Sequence, residues 1–259
     1  MTPVMETAVH FYLSPHFDDA VFSCGGRIWS QGQSSEKVVV VTVFGGAPRA
    51  GTSLSSYAQG LHARWCQPID AVQGRRVEDL RALALLGAEA AHWPYLDCIY
   101  RRTPKGDFPY AGEDALWDKI HASDTEMIAK MTRRMMELPL ASGGRLYAPL
   151  GAGDHVDHRI VRQCAEACGH PLTYYEDFPY AQEAGAVKAA LSEGRWQIEL
   201  MDLSEQALEA KVGAIACYSS QASTFWVGRD HMATSVRAFA EESGSGAPAE
   251  RYWRRVQNA

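Results

Sequence analysis

Two short stretches concentrate the residues that can do chemistry. In the first, His16, Asp18 and Asp19 follow Leu13-Ser14-Pro15; in the second, His155-Val156-Asp157-His158 follows a loop from Leu150 to Asp154. Two imidazoles and one carboxylate are the donor set of a catalytic Zn²⁺ site, which keeps its fourth position for water. The same nitrogen and oxygen donors accept Fe²⁺ and Co²⁺. His155 and His158 are three residues apart and share a face of a helix. Asp18 and Asp19, neighbours on a helix's first turn, do not easily both face one ion. The economical arrangement puts Asp19 on the metal and Asp18 beside the metal's water as general base, because the ion brings that water's pKa toward neutrality. The remaining imidazole then faces a developing oxyanion or a leaving amine, and Asp157 is placed to orient a neighbouring ring. Taken singly, adjacent aspartates are ordinary helix caps and dipole partners. The conjunction of two such clusters, each directly behind a strand, argues for a metal site.

The elements that must position these groups are legible on either side. Ala8 to Leu13 is an apolar run that suits a strand, and Ala20 to Trp29 carries apolar residues at helical spacing. Pro15 marks the junction between them. Lys37 to Phe44 is a nearly continuous β-branched run, as in a strand buried on both faces of a parallel sheet. Arg75 to Leu86 forms an amphipathic helix closed by Gly87, and Ala90 to Trp93 a short strand. Ser123 to Glu126 fits a capping box that opens a helix running to about Glu137, whose methionines 127, 131, 135 and 136 suit core packing. Strands at 145–149, 172–175 and 196–200 then alternate with helices at 155–168, 181–191, 204–218 and 230–241. Such alternation predicts an α/β fold with a parallel, doubly wound sheet and helices on both faces, and ligands in such sheets bind outside the strands' carboxyl ends. Two irregular stretches, 45–70 and 98–113, are long enough to be functional rims. Ser243 to Pro248 is a short flexible connector.

Composition narrows the function. The chain has 259 residues, 46% of them hydrophobic, and a net charge of −6, which argues against a nucleic-acid partner. No apolar run reaches the length of a membrane span, and Met1 to Glu6 lacks the pattern of a secretory signal. The six cysteines are scattered without a disulfide-framework spacing, so free thiols in a reducing cytoplasm are expected.

Ser14-Pro15-His16-Phe17-Asp18-Asp19 followed by Gly25-Gly26 resembles the Pro-His-x-Asp-Asp signature of the LmbE-like, or PIG-L, family of zinc-dependent N-acetylglucosaminyl deacetylases. His155-Val156-Asp157-His158 resembles that family's His-x-Asp-His signature. Arg75 to Gly87 and Lys211 to Gln221 are similar to further family segments, so the likeness spans roughly residues 8 to 221. It implies a single domain over 1–259 with a Rossmann-like, mostly parallel sheet, residues 222–259 forming a cap. It also implies zinc ligands His16, Asp19 and His158, Asp18 as general base, and His155 as the imidazole that stabilises the intermediate or protonates the amine. By the same likeness Arg75 or Arg76, and Asp97, contact a small N-acylated amino-sugar substrate; a homo-oligomer is within the family's range. Two positions depart from the family pattern. Ala20 replaces a frequent Glu, and Gly153 stands where some members have a Tyr two residues before the first His of the second signature.

Three rivals stand beside an N-deacetylase: a metal-dependent amidase acting on a larger conjugate, a nucleotide-binding Rossmann protein, and a non-catalytic binding module. Gly25-Gly26 lacks the Gly-x-Gly-x-x-Gly pattern, and the aspartates would repel a pyrophosphate. Among the aromatics, one or two of Trp93, Tyr95, Tyr100, Tyr110, Trp226 and Trp253 are expected near a sugar face. Cys164 and Cys168 share a helix face but suit small buried hydrophobes. Arg251, Arg254 and Arg255 suit a solvated end or a terminal tie-down.

Overall fold

The run from Val9 to Ser14 is buried from its second residue onward because it lies in the middle of the sheet. The computed structural model describes residues 8–34, 36–65, 70–140 and 143–256. Along the chain come β1 (Val9–Ser14), α1 (Asp19–Gln33), β2 (Lys37–Thr42), α2 (Ser56–Arg64), α3 (Ala71–Leu86) and β3 (Glu89–His92). They are followed by α4 (Thr125–Met136), β4 (Leu146–Pro149), α5 (Val156–Ala167), β5 (Leu172–Tyr175) and α6 (Ala186–Ala190). Then β6 (Trp196–Asp202), α7 (Glu205–Ile215), α8 (Ser219–Phe225), α9 (Gly228–Ser243) and β7 (Ala249–Arg255) complete the described elements.

Among the described residues the strands form one sheet in the order β3-β2-β1-β4-β5-β7-β6. The first five are parallel neighbours, with Phe11 opposite Leu146 and Tyr12 opposite Tyr147 at the β1–β4 seam. From β1 the chain works outward through β2 and β3, then returns to β4 on the other side. That reversal between β1 and β4 opens a crevice at the strands' carboxyl ends, where α/β sheets bind ligands. Both chemical clusters lie on loops leaving these two strands.

Several expectations change at the level of tertiary contacts. Of the segment expected as a cap, β7 instead enters the sheet antiparallel to both β5 and β6. Ser243 to Pro248 is the turn that returns the chain from α9, and Arg251 and Arg254 tie the strand down through Glu176 and Glu199. The capping box at Ser123–Glu126 is not formed. Asp124 instead accepts from the Tyr110 hydroxyl at 2.8 Å and pairs with Arg101 at 3.2 Å, so burial has drawn its carboxylate inward. Met131 and Met135 are buried, whereas Met136 is exposed. The helix expected over 181–191 shortens to a turn at Tyr180–Gln182 and α6, and that over 204–218 is α7, which ends at Ile215 before the separate α8 begins at Ser219. Of the cysteines, Cys24, Cys98, Cys164, Cys168 and Cys217 are free thiols. Cys66 and Met1 to Glu6 lie outside the described residues.

Gly25 and Gly26 serve packing. A Cβ at Gly26 would lie 2.6 Å from Leu203, and one at Gly25 would lie 3.0 Å from Lys211 of α7. Through this close approach Lys211 reaches Glu250 of β7 at 2.9 Å and donates to the Ser23 carbonyl at 2.9 Å. Glu250 also accepts from the Tyr252 hydroxyl and from the Gly26 and Arg27 amides. Both partners of this ion pair are buried. Glu250→Ala leaves Lys211 as an uncompensated buried charge and is expected to lower stability by about 3–5 kcal/mol, read as a shift in the denaturant midpoint. An unchanged midpoint would show that the pair holds nothing together.

Candidate active site

Beyond β1 the Ser14 hydroxyl donates to the His16 carbonyl (2.6 Å) and accepts from the Ala20 amide (2.9 Å), which sets the turn. Ala20 itself is fully buried. The His16 amide donates to Asp19 Oδ2 at 2.7 Å. Asp18 occupies the N-cap position of α1, yet its side chain makes no cap bond. Its carboxylate faces Arg75 Nη2 at 3.4 Å instead, so the ordinary capping role does not explain it.

Beyond β4, His155 caps α5: its Nδ1 accepts from the Asp157 amide at 3.2 Å. A neutral ring accepting at Nδ1 carries its proton on Nε2 and is a donor there. Burial, and then the neighbouring His16 and His158, hold its pKa well below the usual histidine range. His158, one turn later, has its Nδ1 at 2.7 Å from Asp177 Oδ1, which leaves Nε2 as the ring nitrogen pointing inward. That Nε2 is buried, has no hydrogen-bond partner, and lies 3.4 Å from Asp19 Oδ2. Nδ1 of His16 lies 3.2 Å from the same oxygen. His16, Asp19 and His158 thus converge within 4.8 Å of one another, and they fit a divalent ion.

Two other groupings lie close by, His16–His155–Asp157 and Asp97–Cys98–Asp157, and both depend on Asp157, whose oxygens are committed. Asp157 receives Arg101 Nη1 at 2.7 Å and the Cys98 amide at 3.0 Å. Its Oδ2 also meets His16 Nε2 at 3.1 Å, so Asp157 does orient an imidazole, that of His16 and not that of its sequence neighbour His158. The surrounding carboxylates make the site a sink for positive charge. Burial disfavours a charged His158, yet Asp19 and Asp177 outweigh it and raise its pKa to about 10. For Asp18, burial and the adjacent Asp19 push the pKa up to about 6, against the pull of Arg75 and His16.

The sequence-predicted substrate contacts divide. Arg75 is buried beside Asp18, with Asp97 3.8 Å away and its guanidinium 4.8 Å over the Trp65 ring. Arg76 is not brought there: it donates to the Gly45 carbonyl at 2.7 Å. His16, Asp18, Asp19, Arg75, Asp97 and His155 line one cavity of about 260 Å³. A larger cleft of about 760 Å³ beside α5 and α6 contains none of these groups. The aromatic residues expected near substrate are replaced by others. None of the six lines the cavity; Tyr57, Trp65, Trp117, Tyr180 and Phe225 do.

Three further residues escaped the sequence reading. Trp117 meets His155 edge-on with ring centroids 5.2 Å apart, and Tyr180 meets His158 at 5.7 Å. Gly153, at φ +84°, has no Cβ, and one there would lie 2.7 Å from Cβ of Tyr180. The tyrosine that some family members place in this loop is therefore sterically excluded while Tyr180 stands beside it. Asp177 is the third: besides holding His158 it accepts from the Gly151 and Ala152 amides at 2.7 and 2.9 Å. Its position directly after a parallel strand at the same sheet edge was the available signal. Asp177→Asn should weaken metal binding by about 10- to 100-fold, because the ring loses its orientation and basicity. Competition against a chromophoric chelator measures this, and an unchanged affinity would remove Asp177 from the metal site's support.

Residues 11–168 match the family model described as PIG-L, GlcNAc-PI de-N-acetylase. The chain is similar to 2'-N-acetylparomamine deacetylase of Niallia circulans, with 28% identity over 204 residues, 73% of this chain and 72% of that one. The corresponding enzyme of Streptomyces fradiae is 29% identical over 218 residues, 81% of this chain and 72% of its own. Among solved structures, the zinc-inhibited form of teicoplanin deacetylase Orf2 superposes with a TM-score of 0.82 at 26% identity, covering 97% of this chain and 100% of that one.

Proposed function

The chain belongs to the PIG-L (GlcNAc-PI de-N-acetylase) family, and from that premise we infer that it is an N-deacetylase hydrolysing the amide of an N-acylated amino sugar. Water and the amide are consumed; a carboxylate and a free amine are released. The observation that carries the reading is the buried, unpartnered Nε2 of His158 beside Asp19 and His16, with Asp18 and His155 flanking them. A divalent ion held by these three residues, which we assign as zinc, supplies Lewis acidity toward water and the acyl oxygen.

The chain's own groups perform the proton transfers. Asp18 is ionised at neutral pH and is basic enough, at about 6, to take a proton from the attacking water. Arg75 holds that carboxylate in place without a covalent or metal tie. His155 is neutral and, with its proton on Nε2, is a donor for the developing oxyanion or the departing nitrogen. Asp97 and Arg75 bound the space in which the sugar hydroxyls lie. Among the described residues no helix is long and apolar enough to cross a membrane. The described cysteines are thiols, the form a reducing cytoplasm maintains, and that is the compartment we assign.

Amine release from a panel of N-acetylglucosamine conjugates tests the reading directly. Release is expected from metal-loaded protein, lost on chelation and restored by adding back the ion. Tight metal binding without release from any member would overturn the deacetylase assignment.

A further inference from the structure

The two edges of the sheet differ. β3 closes one edge and is only four residues long. β6 forms the other with seven residues, and it pairs with β7 without a bulge from Trp196–Arg255 to Asp202–Ala249. Among the described residues no strand pairs with its outer side. Proteins blunt such edges with lysine, proline, a bulge or a very short strand, since unpaired amides and carbonyls template another strand. β6 has no lysine and no proline, and Ile198 and Leu200 are each 47% exposed.

The pairing with β7 fixes which backbone groups are free. The Val256 amide donates to the Arg195 carbonyl and the Leu203 amide to the Pro248 carbonyl, each at 2.8 Å. In an antiparallel ladder the residues that bond one neighbour alternate with those that face away from it. Trp196, Ile198, Leu200 and Asp202 therefore turn their amides and carbonyls outward. Their side chains share one face of the sheet with Trp253, which lies opposite Ile198. Val187 and Leu191 of α6 continue that apolar face, lining an open groove with Trp253.

The free edge calls for an extended strand, and β6 is complementary to itself. A two-fold axis through Glu199 uses all four outward residues: Ile198 meets Leu200 of the second copy, and Trp196 meets Asp202. That aspartate then approaches Arg255, whose guanidinium lies 5.1 Å over the Trp196 ring. On the opposite face the axis brings two Glu199 side chains together. Each has Arg145 Nη1 at 2.7 Å, Arg254 Nε at 2.9 Å and Arg27 Nη2 at 3.8 Å. Three guanidinium groups around one carboxylate leave a local surplus of positive charge, which a second carboxylate relieves.

We propose that this edge is a homodimer interface, in which two copies of the chain join β6 to β6 antiparallel about an axis through Glu199 and one sheet runs through both. None of the pairing residues lines the cavity of the candidate site, so each copy keeps its own site. A single strand pairing buries less than the roughly 1,200–2,000 Å² of a standard interface, so the association is a reversible one in the micromolar range.

Sedimentation velocity of the full chain across the micromolar range reads the interface first. The mass should move from one chain toward two and stop there, because a two-fold contact closes on itself. Ile198→Lys and Leu200→Pro should each weaken the dimer at least about tenfold, since each change counts twice across the axis. Leu200→Pro is the sharper of the two: it deletes an amide that points away from β7, so the ladder within one copy is kept. Circular dichroism and the denaturant midpoint of both variants check that the chain still folds. Register is read by oxidative cross-linking. Residues opposed in a non-hydrogen-bonded pair stand about 4.5 Å apart between Cα atoms, within reach of a disulfide. Oxidised Glu199→Cys should therefore form a covalent dimer that wild type does not, whereas Gln197→Cys, which faces Met201 of the second copy, should not. Single chains at every concentration, growth past two chains, or a dimer untouched by Ile198→Lys and Leu200→Pro would each overturn the proposal. So would covalent linkage through Gln197→Cys in place of Glu199→Cys.

Discussion

Asp18→Asn is expected to lower kcat by about 10²- to 10⁴-fold while bound metal stays at the wild-type level. The substitution keeps the side chain's shape and removes only its ability to accept a proton as a carboxylate. Asp18 makes no cap bond, so α1 loses no capping interaction. Arg75 retains Asp97 as a neighbouring carboxylate, which limits the cost of removing one negative charge beside it. The carboxylate oxygen in this turn that converges with the two imidazoles belongs to Asp19, which meets both His16 and His158. Metal content and single-turnover amine release, measured on the same preparation, check the separation. Loss of the ion would transfer Asp18 to the ligand set, and unchanged turnover would remove it from the chemistry.

His158→Gln should lower metal affinity by at least about 100-fold, with activity falling in parallel at limiting metal. A ligand removed costs no less than the outer partner that orients it, and those partners account for up to two decades. Gln is the informative replacement because its amide can still donate to Asp177 and limits the penalty of an unpaired buried carboxylate. His158→Ala would confound the experiment with that penalty and with a cavity in the core. The counterpart is His155→Gln, which should retain the ion and lose turnover, because His155 Nδ1 serves as a cap and its ring is not among the three converging donors. Equilibrium dialysis of the two variants, alongside circular dichroism, distinguishes a lost ligand from a lost fold. Retention of full metal affinity by His158→Gln would show that the ion is held by a different set.

The clusters His16–Asp19 and His155–His158 were recognisable because each is local. A strand, a proline or glycine-rich turn and a helix start lie within about ten residues of one another. The spacing i, i+3 puts donors on one side whatever the rest of the chain does. The alternating strands and helices, the buried run of β2, and the choice of Asp18 over Asp19 as the uncommitted carboxylate followed from the same short-range rules. The carboxyl edge shared by β1 and β4 then placed both clusters at one crevice.

Residues separated widely in sequence were decided otherwise. Asp157 stands next to His158 in the chain but bonds the ring of His16, while the partner of His158 is Asp177, nineteen residues on. Arg75 and Arg76 are equivalent as sequence, and only the packing of α3 sends one to Asp18 and the other to the Gly45 carbonyl. The C-terminal segment alternates too weakly to announce a strand. It enters the sheet because Glu250 meets Lys211 across α1 and Arg251 meets Glu176. The sequence by itself therefore determined the fold class and singled out the two clusters proposed as metal ligands and reacting groups, which depend on backbone geometry over one turn. Tertiary structure decided which carboxylate steadies which imidazole, which arginine faces the cavity, and which aromatic rings line the mouth. Those choices depend on desolvation and on distances set by elements far apart in the chain, and no short-range pattern encodes them.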